Sequence, residues 1–487
     1  MSKRVWILPP IIILCLVVGA KEAPREPSIQ SQVRPNILLV LTDDQDAGSI
    51  SEMPNVQSQL VDKGTTYDRA FATTPLCCPS RTSILRGQYA HNHGVWDNKP
   101  PDGGFPRFQE LGLEESTVAT WLDEADYNTG FIGKYLNKYG EYQDPNTHVP
   151  PGWDRWIGYQ GGPEEQYMRG AFKVNDQGKV IRIDATEEHD TDYFARKAED
   201  YVRNRNPDRP WFLMIATNAP HNPAQASARN ENGYAGRTMP KTPSFNEADI
   251  SDKASPWRDN PLLPEECPSK PREVPGEKLQ CVPEADETWR NRMESLRDVD
   301  DMIAELLAAL RDEGFMRHTY VILTSDNGFE LYQNRVYSKG SPYEPSQRVP
   351  FIIRGPGVSK DRVDHHLVAN IDLAPTFAQW AKARTPDFVD GRSLVPILDN
   401  PNSPWRTRLL FEHHFGTQSF EAIRTSADQV YIKYPITHET EYYDLDKDPY
   451  QLDGQAETPP PQLDEQLKDL MRCSGASCRV ADGNGSP

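Results

Sequence analysis

Few folds accommodate the run Asn36-Ile37-Leu38-Leu39-Val40-Leu41 where it stands. It is too short for a typical helix and shows no polar alternation, so it reads as a strand buried on both faces, of the kind found inside parallel sheets. It stops abruptly at Thr42-Asp43-Asp44. Two carboxylates therefore sit at the carboxyl end of a central strand, the edge where open α/β sheets bind ligands. The same pattern returns far along the chain, where the apolar stretch Thr319 to Thr324 runs into Asp326-Asn327.

Between these runs the elements alternate. Thr117 to Ala125 reads as a helix, Thr129 to Ile132 as a short strand and Trp211 to Ala216 as another buried strand. Met293, Leu296, Ile303, Leu306, Leu307 and Leu310 form a stripe at helical spacing that Gly314 is placed to end. The expectation is an α/β fold, a large and mostly parallel sheet wrapped by helices. Residues from Asn222 to about Glu287 are proline-rich and read as a long irregular connection. After about Asn400 the texture changes, and short strands at Val430 to Lys433 and Tyr442 to Leu445 suggest a small antiparallel subdomain. The expected division is a catalytic domain over 35–400 and a C-terminal subdomain over 401–487, with no internal repeat.

The start of the chain reads as an export signal over 1–20: a basic Lys3-Arg4, the apolar run Trp6 to Val18 and the small residues Val18-Gly19-Ala20. An uncleaved anchor is the rival reading, although the apolar run is short for a membrane span. Cys15 lies within this segment, and 21–34 reads as a polar linker. Outside the signal, Cys267 and Cys281 flank part of the proline-rich loop, and Cys473 and Cys478 lie close together, spacings that suit local disulfides in an oxidising compartment. Cys77 and Cys78 are adjacent, and no Cys-x-x-Cys zinc pattern occurs. The formal net charge of −19 argues against nucleic acid as a partner. It also requires any anionic substrate to enter a locally positive pocket.

The segment Cys77-Cys78-Pro79-Ser80-Arg81, continuing to Gly87, resembles the sulfatase signature Cys-x-Pro-Ser-Arg. In that family the first cysteine is oxidised to formylglycine, which places the modified residue at Cys77 and leaves Cys78 as a small packed residue. The resemblance implies covalent catalysis with a built-in release: one hydroxyl of the hydrated aldehyde attacks sulfur, and the other collapses the adduct. Asp43, Asp44, Asp326 and Asn327, together with the modified residue at Cys77, match the family's metal-binding positions. Carboxylates and an amide oxygen make a hard cage suited to Ca²⁺, with Mg²⁺ also open. Arg81, Lys134 in Gly133-Lys134-Tyr135-Leu136-Asn137, and Lys339 in Lys339-Gly340-Ser341-Pro342-Tyr343-Glu344 match sulfate-contacting positions. His221 matches the histidine near the leaving oxygen. Asp46 is a further carboxylate that the family pattern does not require.

One departure stands out. Many sulfatases carry a histidine where this chain has Leu136, and the string Gly-Lys-Tyr-Leu-Asn resembles instead the branch of N-acetylglucosamine-6-sulfatases and extracellular endosulfatases. That leaves the base for sulfate release open between a water aligned by Asn137 and His221 acting twice. His91 and His93 either line the pocket or pack structurally. The resemblance runs from about Arg34 to Leu452, through stretches such as Arg348 to Gly357 and Asp372 to Thr376, and implies an alkaline-phosphatase-like fold with a small C-terminal antiparallel sheet. It also implies a formylglycine-generating enzyme as a maturation partner. A small or terminal sulfated substrate is expected, an aryl sulfate or a sugar such as N-acetylglucosamine 6-sulfate, because no long basic block is present. No stable membrane association is expected after signal cleavage, and an extracellular or periplasmic location is preferred to a lysosomal one. Phosphonate or phosphate ester hydrolysis, and non-catalytic binding of sulfated glycans, are the competing readings.

Overall fold

The run Asn36–Thr42 lies near the middle of a ten-stranded sheet. Across the sheet the strands follow the order Arg362–Asp364, Thr65–Tyr67, Phe351–Arg354, Thr319–Ser325, Asn36–Thr42, Trp211–Ala216, Asn128–Gly133, Arg155–Gln160, Ala171–Asp176 and Lys179–Asp184. The five strands from Thr319–Ser325 to Arg155–Gln160 are parallel, with Leu39 opposite both Met214 and Ile322. Antiparallel pairs extend the sheet on both sides. The structure, a computed structural model, describes residues 1–2, 34–141, 147–161, 170–206, 208–268, 281–455 and 458–483. The expected export signal and linker, with Cys15, fall almost wholly on residues 3–33, outside the described residues. Residues 35–487 form one compact unit. No helix among the described residues is long and apolar enough to cross a membrane.

The pleat sends successive side chains to opposite faces. Ile37, Leu39 and Leu41 enter one core with residues of the helices Cys77–Arg86, Val118–Glu124 and Leu373–Ala381. Leu38 and Val40 enter the other, with the helices Asp190–Asn204 and Val282–Asp312. Both faces being covered explains why the strand sequence is apolar throughout. The helical stripe from Met293 to Leu310 is buried along its length, and each such aliphatic side chain contributes roughly 1.5–3 kcal/mol.

That helix corrects the expected extent of the irregular stretch. It begins at Val282, so the proline-rich connection ends at Cys281 rather than near Glu287. Pro283 lies in the first turn, where the missing N–H would have had no helical partner in any case. The C-terminal sheet is an antiparallel meander of Arg408–His413, Phe420–Thr425, Gln429–Lys433 and Thr440–Asp444, with the helix Gln462–Met471 against it. Its first two strands escape the pattern reading because buried charges break their apolar texture. Arg424 there is satisfied by Glu344 and Asp428. Cys267–Cys281 and Cys473–Cys478 are disulfide-bonded, while Cys77 and Cys78 are free and buried.

Candidate active site

Parallel register brings the acidic strand ends together. Thr42 lies opposite Ser325, so Asp43-Asp44 and Asp326-Asn327 leave the sheet side by side, and Asp326 N–H donates to the Thr42 carbonyl at 3.1 Å. Lys134 follows the strand Asn128–Gly133, and His221 lies in the loop after Trp211–Ala216. Cys77 opens the helix Cys77–Arg86, whose N-terminus adds positive potential. Lys339 follows the short strand Tyr337–Ser338. Every residue expected in the site reaches this carboxyl edge of the sheet.

Cys77 Sγ lies 3.4 Å from Asp43 Oδ1 and 3.9 Å from Asp44 Oδ1. Lys339 Nζ stands 2.8 Å from the same sulfur and pairs with Asp44. Lys134 pairs with Asp43. Arg81 Nε donates to Asp326 Oδ2 at 2.7 Å, and its Nη2 stands 3.6 Å from Asp43 Oδ2. His221 Nε2 is 3.6 Å from Asp44 Oδ2. Its Nδ1 faces the Asn222 carbonyl at 2.5 Å; a carbonyl only accepts, so Nδ1 carries the proton. Asn327 donates its amide N–H to Asp44 Oδ1 at 2.7 Å.

Three carboxylates and three cations thus surround one sulfur, and burial makes their mutual interactions strong. Burial acts to raise the Asp43 carboxyl, but Lys134, His221, Arg81 and Lys339 outweigh it and hold it well below the usual carboxylate range. Asp44 is lowered in the same way, against burial, chiefly by Lys339 and His221. Asp326 moves oppositely: burial and Asp43 push it up to about 6 despite Arg81. Burial and Asp43 push the Cys77 thiol far up. Burial takes His221 down to about 4 against the pull of Asp44 and Asp43.

The carboxylate and amide oxygens of Asp43, Asp44, Asp326 and Asn327 fit a hard divalent cation. Oxygen, sulfur and nitrogen donors of Asp43, Asp44, Cys77 and His221 lie within 4.8 Å of one another. The Asn327 amide oxygen is buried with no hydrogen-bond partner among the described residues. Such an orphaned acceptor beside crowded carboxylates suits an oxygen-seeking cation.

Other candidates fall outside this cluster. His91 pairs with Glu412 at 3.0 Å, and His93 bonds the Ser83 hydroxyl at 3.1 Å, so both serve packing. Asp46 caps the short helix Ala47–Glu52 through Ser49 N–H. Cys78 joins the apolar core, with its N–H donated to Asn98 at 2.8 Å. Leu136 is buried in the same core, and the Asn137 side-chain oxygen is buried without a partner among the described residues. Pattern reading missed Arg292, which donates to the Asp44 carbonyl and, at 2.9 Å, to the Pro220 carbonyl. An arginine on a long helix gives no sequence signal that separates it from a solvated one.

The sulfatase family model matches residues 35–383, and the N-sulphoglucosamine sulphohydrolase C-terminal model matches residues 333–473. The extracellular sulfatase SULF-1 homolog of Drosophila melanogaster is 32% identical over 425 residues, covering 85% of this chain but 36% of its own length. The N-acetylglucosamine-6-sulfatase of Capra hircus is 29% identical over 491 residues, covering 92% of this chain and 85% of its own. Among solved structures, a protein in complex with its substrate D-glucosamine-2-N,6-O-disulfate superposes with a TM-score of 0.76 at 23% identity, covering 93% of this chain and 100% of its own.

Proposed function

The chain belongs to the sulfatase family, and from that premise we propose that it hydrolyses sulfate monoesters at the Cys77 cluster, with residue 77 acting as formylglycine beside a bound divalent cation. The observation that carries the reading is the position of Cys77 Sγ, within 4 Å of Asp43, Asp44 and Lys339. An unmodified thiol there is held protonated by burial, and a protonated thiol is a poor nucleophile. Oxidised to formylglycine, residue 77 would supply an oxygen nucleophile with its own route of product release. Asp43, Asp44, Asp326 and the Asn327 amide oxygen are the residues to hold the cation. Ca²⁺ is favoured, with Mg²⁺ the alternative; when bound, the cation supplies Lewis acidity and offsets negative charge.

The chain's own residues do the rest. Lys134, Lys339 and Arg81 provide fixed positive charge for the sulfate oxygens in a site shielded from water. They also supply the local attraction that a chain of net charge −19 otherwise lacks. His221 turns Nε2 toward the cluster and is placed to give a proton to the departing alcohol oxygen. Burial keeps the free imidazole neutral with its proton on Nδ1; only the imidazolium, which an anionic sulfate in the pocket favours, carries the Nε2 proton to be given. Leu136 cannot accept a proton, so release is served by a water that Asn137 aligns, or by His221 taking a proton back at Nε2 after it has given one.

The substrate is an aryl sulfate or a sulfated sugar such as N-acetylglucosamine 6-sulfate, which the relatives named arylsulfatase and N-acetylglucosamine-6-sulfatase support, and the lack of a long basic block supports a small or terminal one. An exported location accords with the oxidised cysteine pairs and with the extracellular relative. Maturation calls for a formylglycine-generating enzyme. Peptide mass spectrometry across Cys77, on protein from its natural host, tests the nucleophile: an aldehyde or its hydrate is expected, and an unmodified thiol in the mature protein refutes it. Turnover of matched sulfate, phosphate and phosphonate esters tests the reaction, and a clear phosphonate preference would overturn the sulfatase reading.

A further inference from the structure

We propose that Arg292 is a positioning residue that sets the register between the cation-holding loop at Asp44 and the proton-donating loop at His221. The inference rests on the roles proposed above for those two residues. Arg292 lies on the helix Val282–Asp312 and is 1% exposed. Its Nη2 donates to the Asp44 carbonyl and its Nη1 to the Pro220 carbonyl at 2.9 Å, immediately before His221. The guanidinium also lies 3.9 Å from the ring centre of Phe329, close in sequence to Asp326 and Asn327. One side chain therefore touches all three of the loops that supply Asp44, His221 and the Asp326-Asn327 pair.

Asp44 needs such a fixture. Its φ is +65°, the left-handed region that crowds any side chain with a Cβ. Aspartate tolerates this region better than most residues, but it remains the less populated one, and fixed partners hold the backbone there. The Asp44 N–H donates to Asp326 Oδ1 at 3.1 Å, its carboxylate meets Asn327 and Lys339, and its carbonyl is held by Arg292. The arginine is the one of these partners that comes from outside the proposed site. It is also mounted on a rigid element, since neighbouring Met293 and Leu296 are buried in the core. Without the guanidinium, the Asp44 carbonyl loses a charge-assisted bond, the backbone can leave the left-handed region, and the carboxylate turns away from the other donors. The Pro220 carbonyl is released by the same change, so His221 loses its register with Asp44.

The test uses the full mature chain with Arg292→Met and Arg292→Lys. Three quantities are read: the Ca²⁺ concentration at half-maximal rise in Tm, and kcat and KM on a small aryl sulfate. Loss of charge-assisted bonds to two carbonyls should raise the Ca²⁺ midpoint about tenfold in Arg292→Met and lower kcat about a hundredfold. KM should stay within about threefold, because the defect is in alignment rather than substrate binding. Arg292→Lys, which keeps the charge but reaches fewer carbonyls, should fall between the two and carries the test if the methionine variant does not fold. A variant with lower Tm but unchanged Ca²⁺ midpoint and kcat overturns the proposal and leaves Arg292 a packing residue. A wild-type protein whose Tm responds to neither Ca²⁺ nor Mg²⁺ overturns the cation seat itself, and this inference with it.

Discussion

Cys77 and Cys78 share a helix turn and are both fully buried, yet their surroundings differ in kind. The first sulfur faces Asp43, Asp44 and Lys339, while the second residue packs in the apolar core. Cys77→Ala should therefore abolish turnover, and Cys78→Ala should keep most of it at a stability cost of about 1 kcal/mol. Steady-state kinetics on an aryl sulfate, with thermal melts of both variants, decides this; equal loss of turnover in the two would move the nucleophile. Lys339 sits on both the sulfur and Asp44. Lys339→Ala should lower kcat by about 10²–10³-fold, the scale for removing one fixed charge from a transition-state site, while circular dichroism stays native. Unchanged kinetics would remove Lys339 from the site. Each of these residues could be picked out from sequence because it stands in a short motif. Arg292 could not, because its meaning lies in two carbonyls that belong to distant loops.

At the scale of elements, the signature region is tied to the C-terminal sheet through one ion pair. His91, in the short helix Ala90–His93, meets both carboxylate oxygens of Glu412 in the strand Arg408–His413, and its Nε2 reaches the Cys473 carbonyl at 3.0 Å. Burial acts to lower the imidazole, but Glu412 outweighs it and raises the group to about 9. A histidine raised on folding stabilises fully below its unfolded value, about 6.5, and loses that contribution as pH climbs through the folded value. The contribution is about 3 kcal/mol as an upper bound. The Tm gap between wild type and His91→Gln should thus be widest near pH 6 and close between about pH 7 and 10. A gap independent of pH would mean that the histidine contributes shape rather than charge. In sequence, a histidine beside a signature helix looks the same whether it lines a pocket or packs, so His91 is open between the two. The tertiary partner, supplied from far along the chain, decides for packing.

For the whole molecule, the site concentrates buried charge that the fold must hold against mutual repulsion. Asp43, Asp44 and Asp326 are each at most 1% exposed, and Asp326 is pushed up by burial and Asp43. A bound cation should stabilise the native state by mass action. Removing divalent ions with a chelator should lower Tm by several degrees and abolish turnover, and adding Ca²⁺ back should restore both. A melt insensitive to chelation would exclude a tightly held ion. The parallel core could be read from the chain alone, because strands covered on both faces must be apolar throughout, and so could Asp43-Asp44 and Asp326-Asn327 at the ligand-binding edge, because they directly follow such strands; Cys77, Arg81, Lys134, His221 and Lys339 were legible through the resemblance of their motifs. Only the tertiary structure decided what those residues do to one another. The register of Thr42 on Ser325 sets Asp43-Asp44 against Asp326-Asn327. The left-handed turn at Asp44, the arginine that holds it and the buried charges of the C-terminal strands are likewise contacts between segments far apart in sequence. Periodicity reports which face of an element is buried; it carries no record of which distant atom completes a hydrogen bond there.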